Sequence, residues 1–299
     1  MKFKVIFLTL GFLALAAIIA GGIIYLQTVR GAVHAQHVSL AKETNQTVAR
    51  RISDIVKNQQ NAAAVLSNTW SILALFDKQN ADTITEATLV LNDFLEAYHA
   101  TRCCLVNRQG KVIAASSPKD TPALIDENYS DRPFFKNALA GTAGILLAQG
   151  VTSPQPALNI SHPVVSDETV VGIILLTIPL TEIDQILADT KGIFALADAH
   201  NLIFASNKKE WLFKVLGETS AENLMTIAQD RQLGGEMPTT IPMHIDKNDG
   251  MAIFPDGKQY LVSSSALQDS PGWQLIYFQE HGSIHTEVSQ ALLSKNGGF

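Results

Sequence analysis

From Val5 to Leu26 the chain reads VIFLTLGFLALAAIIAGGIIYL, with no charged side chain in the run. A helix of that length rises about 33 Å, enough to cross a ~30 Å hydrocarbon layer. The stretch exceeds the ~7–15 apolar residues of a secretory signal, and the Val33-His34-Ala35 triplet, which has the form of a cleavage site, lies well past it. An uncleaved membrane anchor is therefore expected. Lys2 and Lys4 precede the span and only Arg30 follows closely, so the positive-inside tendency places the N-terminus in the cytoplasm and the remainder outside. No cysteine lies near the end of the span, which removes a lipoprotein reading.

The other residues must build their own core. With 299 residues, 46% of them hydrophobic and 17% charged, the chain can do so in one or two domains. Its net charge is −6 and its 22 basic residues are scattered, so it lacks the concentrated cationic face that a nucleic acid needs. Cys103 and Cys104 are adjacent. A bond between neighbours would close a strained ring, so the pair is expected reduced, as small packed strand residues.

Val48, Ile52, Ile55, Ala62, Leu66, Trp70 and Leu73 recur at helical intervals, with Arg50, Arg51, Asp54, Lys57 and Asn58 between them. One amphipathic helix is predicted, continuing from the span as a stalk. Asp82 or Thr83 is expected to cap a second helix carrying Ile84, Ala87, Leu91, Leu95 and Tyr98. At residue 104 the period becomes that of strands. CLVNRQGKVIAAS (104–116) reads as a hairpin, and FALADAHNLIFAS (194–206) repeats it without a gap.

Two copies of one α+β module are predicted. Strands at 145–153, 156–165 and 170–178 complete the first sheet, and a helix over 181–190 links the copies. A helical stretch from Ser220 to Arg231 and the strands MAIF, QYLVSSS and WQLIYF belong to the second copy; a last helix spans roughly 280–294. The division is an anchor at 1–30, a helical stalk at 31–100, a membrane-distal module at 101–190, a membrane-proximal module at 191–285 and a tail at 286–299.

YSDRPFFKNALAG (129–141) is a predicted short helix with a cation, Arg132, in its first turn, where the helix dipole is already positive. Ser130 or Asp131 can cap it, Pro133 is tolerated at its start, and Gly141 supplies a stop. Phe134, Ala138 and Leu139 can face the sheet. Free main-chain donors plus a guanidinium form an anion site, and a carboxylate suits the planar fork. A loop ion pair with Asp126, Glu127 or Asp131 is the competing role. Hydroxyls at 151–153 and 159–161 favour the site.

The runs CCLVNRQGKVIAAS, NYSDRPFFKNALAG, GVTSPQPALNISHPVV and VVGIILL resemble the membrane-distal Cache module of bacterial four-carbon-dicarboxylate sensor histidine kinases. EWLFKVLG, DRQLGG and PGWQLIYF resemble the proximal module of that double-Cache region. The resemblance implies a single-pass protein of the bacterial inner membrane whose bulk lies in the periplasm, with tandem PAS-like modules of antiparallel sheets. It implies a small organic acid held by Tyr129, Arg132, Phe135, Thr152, Ser153, Ser161 and Thr177, with Arg132 gripping a carboxylate. The family usually has a lysine near the position of Thr177, and its absence leaves dicarboxylate specificity open. The family also continues into a second span and a kinase, whereas this sequence stops at Phe299. A separate kinase or other signalling partner and a homodimer through the stalk helix are thus expected.

No enzyme is expected, and no cofactor. Phosphate-cradling glycine loops and the GxSxG, HExxH and CxxC patterns are absent from the sequence. Ser116/Lys119 and Ser206/Lys209 match Ser-x-x-Lys without its companion motifs, and His281/His285 lack a third metal ligand. The alternative function is a tethered binding protein that hands solute to a transporter.

Overall fold

The computed structural model describes residues 2–116, 125, 127–149, 155–229, 236–246, 250–270 and 272–280. Helix α1 (Lys2–Ser67) runs unbroken for 66 residues. Side chains from Leu10 to Leu26 are exposed along it, and α1 is the one helix among the described residues long and apolar enough to cross a membrane. Farther along, Ala41, Val48, Ala49, Ile52, Val56, Ala63 and Leu66 are buried.

The helix ends at Ser67, before the predicted face does. Thr69, in extended backbone, starts α2 (Trp70–Asp77), and the break turns Trp70 outward to 72% exposure while Ile72 and Leu75 become the buried pair. Helix α3 (Ala81–Ala97) is capped by Asn80, not by Asp82 or Thr83. Its Oδ1 accepts from the N–H groups of Asp82 and Thr83 at 2.9 and 3.0 Å, and the Thr83 hydroxyl accepts the Asn80 N–H at 3.1 Å, a reciprocal capping box.

The first sheet contains β1 (Arg102–Asn107), β2 (Val112–Ser116), β3 (Gly144–Gln149), β4 (Pro156–Ser166) and β5 (Thr169–Pro179), in the order β2-β1-β5-β4-β3. All its pairings are antiparallel. Helix α4 (Pro133–Leu139) lies between β2 and β3 in sequence. Helix α5 (Thr181–Asp189) follows.

The second sheet draws on β6 (Ile193–Ala197), β7 (Ile203–Ser206), β10 (His244–Asp246), β11 (Met251–Ile253), β12 (Gln259–Ala266) and β13 (Gln274–Glu280). Its order is β10-β11-β12-β13-β6-β7. Two strands, β8 (Lys214–Leu216) and β9 (Thr239–Ile241), form a separate parallel pair, and α6 (Ala221–Gln229) lies between them in sequence. Neither β8, β9 nor β10 follows from the sequence pattern, because three residues are too few to display a period. The helix expected at 280–294 falls outside the described residues.

The repeat is real but shifted by one place from the ungapped match. Asn107 and Asp198 each accept two main-chain N–H groups within their turns, from Gln109 and Lys111 and from His200 and Leu202. Gly110 (φ 84°) and Asn201 (φ 60°) then hold the equivalent left-handed position. That conformation admits glycine and asparagine, and it fixes the alignment more firmly than side-chain similarity does.

Both sheets carry residues against α1. Cys103, Leu105, Ile160, Ile174 and Leu176 from the first, and Phe194, Leu196, Leu261 and Leu275 from the second, share one core with the buried face of the helix. Alternate residues of the first sheet, including Cys104, Val106, Ile173 and Leu175, meet Tyr129 and α4 on the opposite face. Coverage on both faces is why β1 reads as a continuous apolar run. Asn45 ties α1 to the second sheet: fully buried, it donates through Nδ2 to the carbonyls of Ser263 and Leu275 at 2.9 and 3.1 Å and to Ser265 Oγ at 3.1 Å.

Both cysteines are free, and burial pushes their thiols up, Cys103 well above its usual value and Cys104 to about 12. In the unfolded chain these thiols ionise near their ordinary value of about 8.5. The native state therefore holds more protons than the unfolded chain once pH passes that point, and stability falls as pH rises above ~9, on the order of 1 kcal/mol per pH unit for a thiol that stays protonated in the fold. Urea midpoints taken from pH 7 to 10 should decline accordingly, and a disulfide-exchange reagent should label the thiols only on unfolding.

Candidate ligand-binding site

The turn of the first hairpin positions the site. The Tyr129 N–H donates to the Gly110 carbonyl at 2.7 Å, and the Val112 N–H donates to Glu127 O at 3.0 Å. A Cβ on Gly110 would stand 2.6 Å from Ser130 N, so only glycine lets the segment of Tyr129 pass this closely. The next residues start α4, with Arg132 in the N-cap position and extended (φ −78°, ψ 134°), Pro133 at the helix start and no side-chain cap.

This corrects the expected geometry. Neither Ser130 nor Asp131 caps the helix, and Arg132 precedes the first turn. At seven residues, α4 is too short for its dipole to define an anion site, so recognition falls to side chains. Phe134, Phe135 and Ala138 are buried, and Gly141 takes φ 90° after the helix.

Strand register sets polar residues beside α4. Arg102 pairs with Thr177 across β1 and β5, and Thr177 pairs with Asn159 across β5 and β4. Cys104, Leu175 and Ser161 lie two residues along the same strands, under α4, so Arg102, Thr177 and Asn159 form a polar row on that face. The Thr177 hydroxyl donates to Asn159 Oδ1 at 2.8 Å. Arg102, 6% exposed, donates to the Tyr129 hydroxyl at 3.4 Å, and that hydroxyl donates to Glu127 Oε2 at 2.8 Å. Burial raises the Tyr129 phenol far above its ordinary value, and the Glu127 bond adds to the effect, so Tyr129 remains a neutral donor.

The expected residues take different parts. Arg132 is half-buried, and its guanidinium makes no hydrogen bond or ion pair among the described residues, although its main-chain N–H donates to Tyr129 O at 2.9 Å. Tyr129 joins the polar row. Phe135 packs into the core beneath α4. Ser161 is fully buried and donates to Phe134 O at 3.0 Å, so its hydroxyl fixes the helix and is not free for a ligand. Gly144 assists, since a Cβ there would come within 2.5 Å of Ser161 Oγ. Thr177 is engaged by Asn159, and Thr152 and Ser153 lie outside the described residues.

Arg102 and Asn159 are absent from the sequence prediction. Arg102 immediately precedes the two cysteines; extending the period of two back from Cys104 places it on the α4 face, and a charge at such a position is the available signal. The Ser-x-x-Lys matches dissolve into structural roles where they are described. Ser206 Oγ donates to Phe194 O at 2.6 Å and Lys209 pairs with Asp184 at 3.1 Å, while Ser116 Oγ bonds Asn92 Oδ1. His281 and His285, like Lys119, lie outside the described residues.

Two antiparallel sheets share one long helix, and the first carries a polar row beside α4. The Cache domain model dCache_1 matches residues 26–288, and the chain belongs to that family. It is 19% identical over 189 residues to the C4-dicarboxylate transport sensor protein DctB of Pseudomonas aeruginosa, covering 63% of this chain and 29% of that protein. The DctB of Rhizobium meliloti is 21% identical over 210 residues, covering 69% and 32%. The chain thus matches less than a third of the length of these curated relatives.

Among solved structures, the sensor domain of the V. cholerae histidine kinase DctB superposes with TM-score 0.71 at 23% identity, covering 82% of this chain and 98% of that one. The ligand-binding domain of the Campylobacter jejuni chemoreceptor Tlp3 in complex with L-valine gives TM-score 0.61 at 14% identity, covering 86% and 98%. At these identities the likeness establishes the fold.

Proposed function

We propose that this protein is a membrane-anchored extracytoplasmic sensor whose first Cache module, residues 101–190, binds a small carboxylate and passes the event through α1 to a kinase or another signalling partner. The observation that carries this reading is Arg132. A half-buried guanidinium without a counter-ion among the described residues, at the start of α4 and three residues after Tyr129, suits a planar anion. Family membership supports a sensing role, and the names of the relatives, which sense C4-dicarboxylates or bind amino acids, support a small carboxylate-bearing metabolite. The exposed apolar segment of α1 supports the anchor, with the second sheet nearer the membrane because α1 meets it first.

Thermal melting of the full chain in nanodiscs, against a panel of mono- and dicarboxylates, amino acids, sugars and the matching amides, tests the reading. Carboxylates should raise the melting temperature and their amides should not. Equal shifts with acid and amide, or no shift with any carboxylate, would overturn it.

A further inference from the structure

The α1 face of the first sheet holds a cavity in which no residue of the carboxylate site takes part. Its volume is about 520 Å³, and it lies where α1, the end of α3, strands β4 and β5 and the start of α5 meet. Ile55, Leu158, Ile178, Leu180 and Ile183 form its apolar part, and all of them pack in the core shared with α1, on the side of the sheet away from α4. The size falls within the ~300–1,000 Å³ of small-molecule sites. Gln59, one turn beyond Ile55 on α1, lines the same cavity. Its Oε1 is buried and accepts no hydrogen bond among the described residues, a state that native folds keep at few positions because an unpaired buried acceptor is costly. The charge on the lining is one-sided: Glu182 is exposed there, and no lysine or arginine takes part. Such a cavity serves an anion poorly. An apolar body that carries a cationic N–H donor suits the apolar wall, the orphan oxygen and the acid at the opening together.

We propose that this cavity is a second ligand site, for a small apolar primary amine whose ammonium donates to Gln59 Oε1 while its body lies against Leu158 and Ile178. The chemistry is the reverse of that beside α4, and the site stands independently of the carboxylate reading. An occupant touches α1 and also α5, the helix that connects the two sheets in sequence.

Full-length protein in nanodiscs, with empty nanodiscs as the blank, is titrated calorimetrically at pH 8 with three probes. These are 2-phenylethylamine, its N-trimethylated form, which keeps the charge and loses every N–H, and 3-phenylpropionate. The wild type should bind the primary amine about 10- to 100-fold more tightly than either analogue, the span of one hydrogen bond from a charged donor. Gln59→Leu, which removes the acceptor and keeps a similar bulk, should bring the primary and trimethylated amines within about threefold of each other. Ala97→Trp places a large ring at an exposed residue of the lining and should weaken the amine at least ~10-fold by filling the space. Arg132→Ala should leave amine affinity unchanged.

A wild type that takes up no amine would overturn the proposal and leave Gln59 to an ordered water. Equal affinity for 3-phenylpropionate would overturn it too, as would a preference for the primary amine that survives Gln59→Leu, since that preference would then be one of bulk. If Gln59→Leu does not fold, Ala97→Trp decides: full amine affinity in that variant places the binding elsewhere and counts against the site.

Discussion

Replacing Arg132 by alanine should reduce carboxylate affinity by about 30-fold or more while leaving the melting temperature of the ligand-free protein nearly unchanged. The binding loss follows from removing a charge-assisted, two-pronged contact in a half-buried setting, where water competes poorly. Preserved stability follows from what the Arg132 side chain does not do: its guanidinium makes no hydrogen bond or ion pair among the described residues, its main-chain bonds survive in alanine, and Pro133 and the buried Phe134, Phe135 and Ala138 hold α4 without it. Substitutions free of such partners stay within about 0.5 kcal/mol. Arg132→Lys should recover part of the affinity, since it restores charge without the fork. Calorimetric titration paired with melting curves checks both halves, and a variant that binds as tightly as the wild type would leave Arg132 an ordinary surface side chain.

The largest stability change is expected from Asn45→Asp. The two side chains have the same shape, but the change replaces the Nδ2 donor by an oxygen facing the carbonyls of Ser263 and Leu275 and the Ser265 hydroxyl. An unpaired charge at a fully buried position costs about 3–5 kcal/mol at neutral pH. Burial and the surrounding oxygens raise the folded-state pKa of the new carboxyl above its unfolded value of about 3.9. The native state then binds the extra proton, so the variant is least impaired in acid and loses stability as pH rises through the raised pKa. Denaturant midpoints at pH 5 and pH 8, each taken against wild type, should show a wider gap at the higher pH. A pH-independent gap would mean that the side chain turns to water and that α1 is not held to the second sheet as described.

How much of this was legible in the sequence depends on the range over which each signal acts. The apolar run, the α1 face up to Leu66, the central strands and the hairpin turns depend on neighbouring residues, and each emerged from spacing alone. The break before Trp70 did not, because hydrophobic spacing runs through it and the signal that stops the helix, an extended Thr69, is conformational. Arg132 was recognisable from its odd position beside Pro133. Thr177 entered through the family resemblance, but Arg102 and Asn159 did not, since the row they form with Thr177 arises only through the pairing of β1, β5 and β4, a sequence separation that no local period encodes. Ser161 was found for its hydroxyl, but its actual role, anchoring Phe134, required knowing where α4 docks.

Strand β4 carries two neighbours with opposite allegiances: Ser161 holds the Phe134 carbonyl on one side, and His162 Nδ1 meets Ser67 Oγ at 2.9 Å on the other, at the last residue of α1. Helix α4 and the end of the long helix are thus separated by the thickness of one sheet and joined by a single peptide link. If the proposed function holds, a ligand that draws α4 inward would not have to deform a domain to act at a distance; tilting one strand would move the tip of a lever 66 residues long.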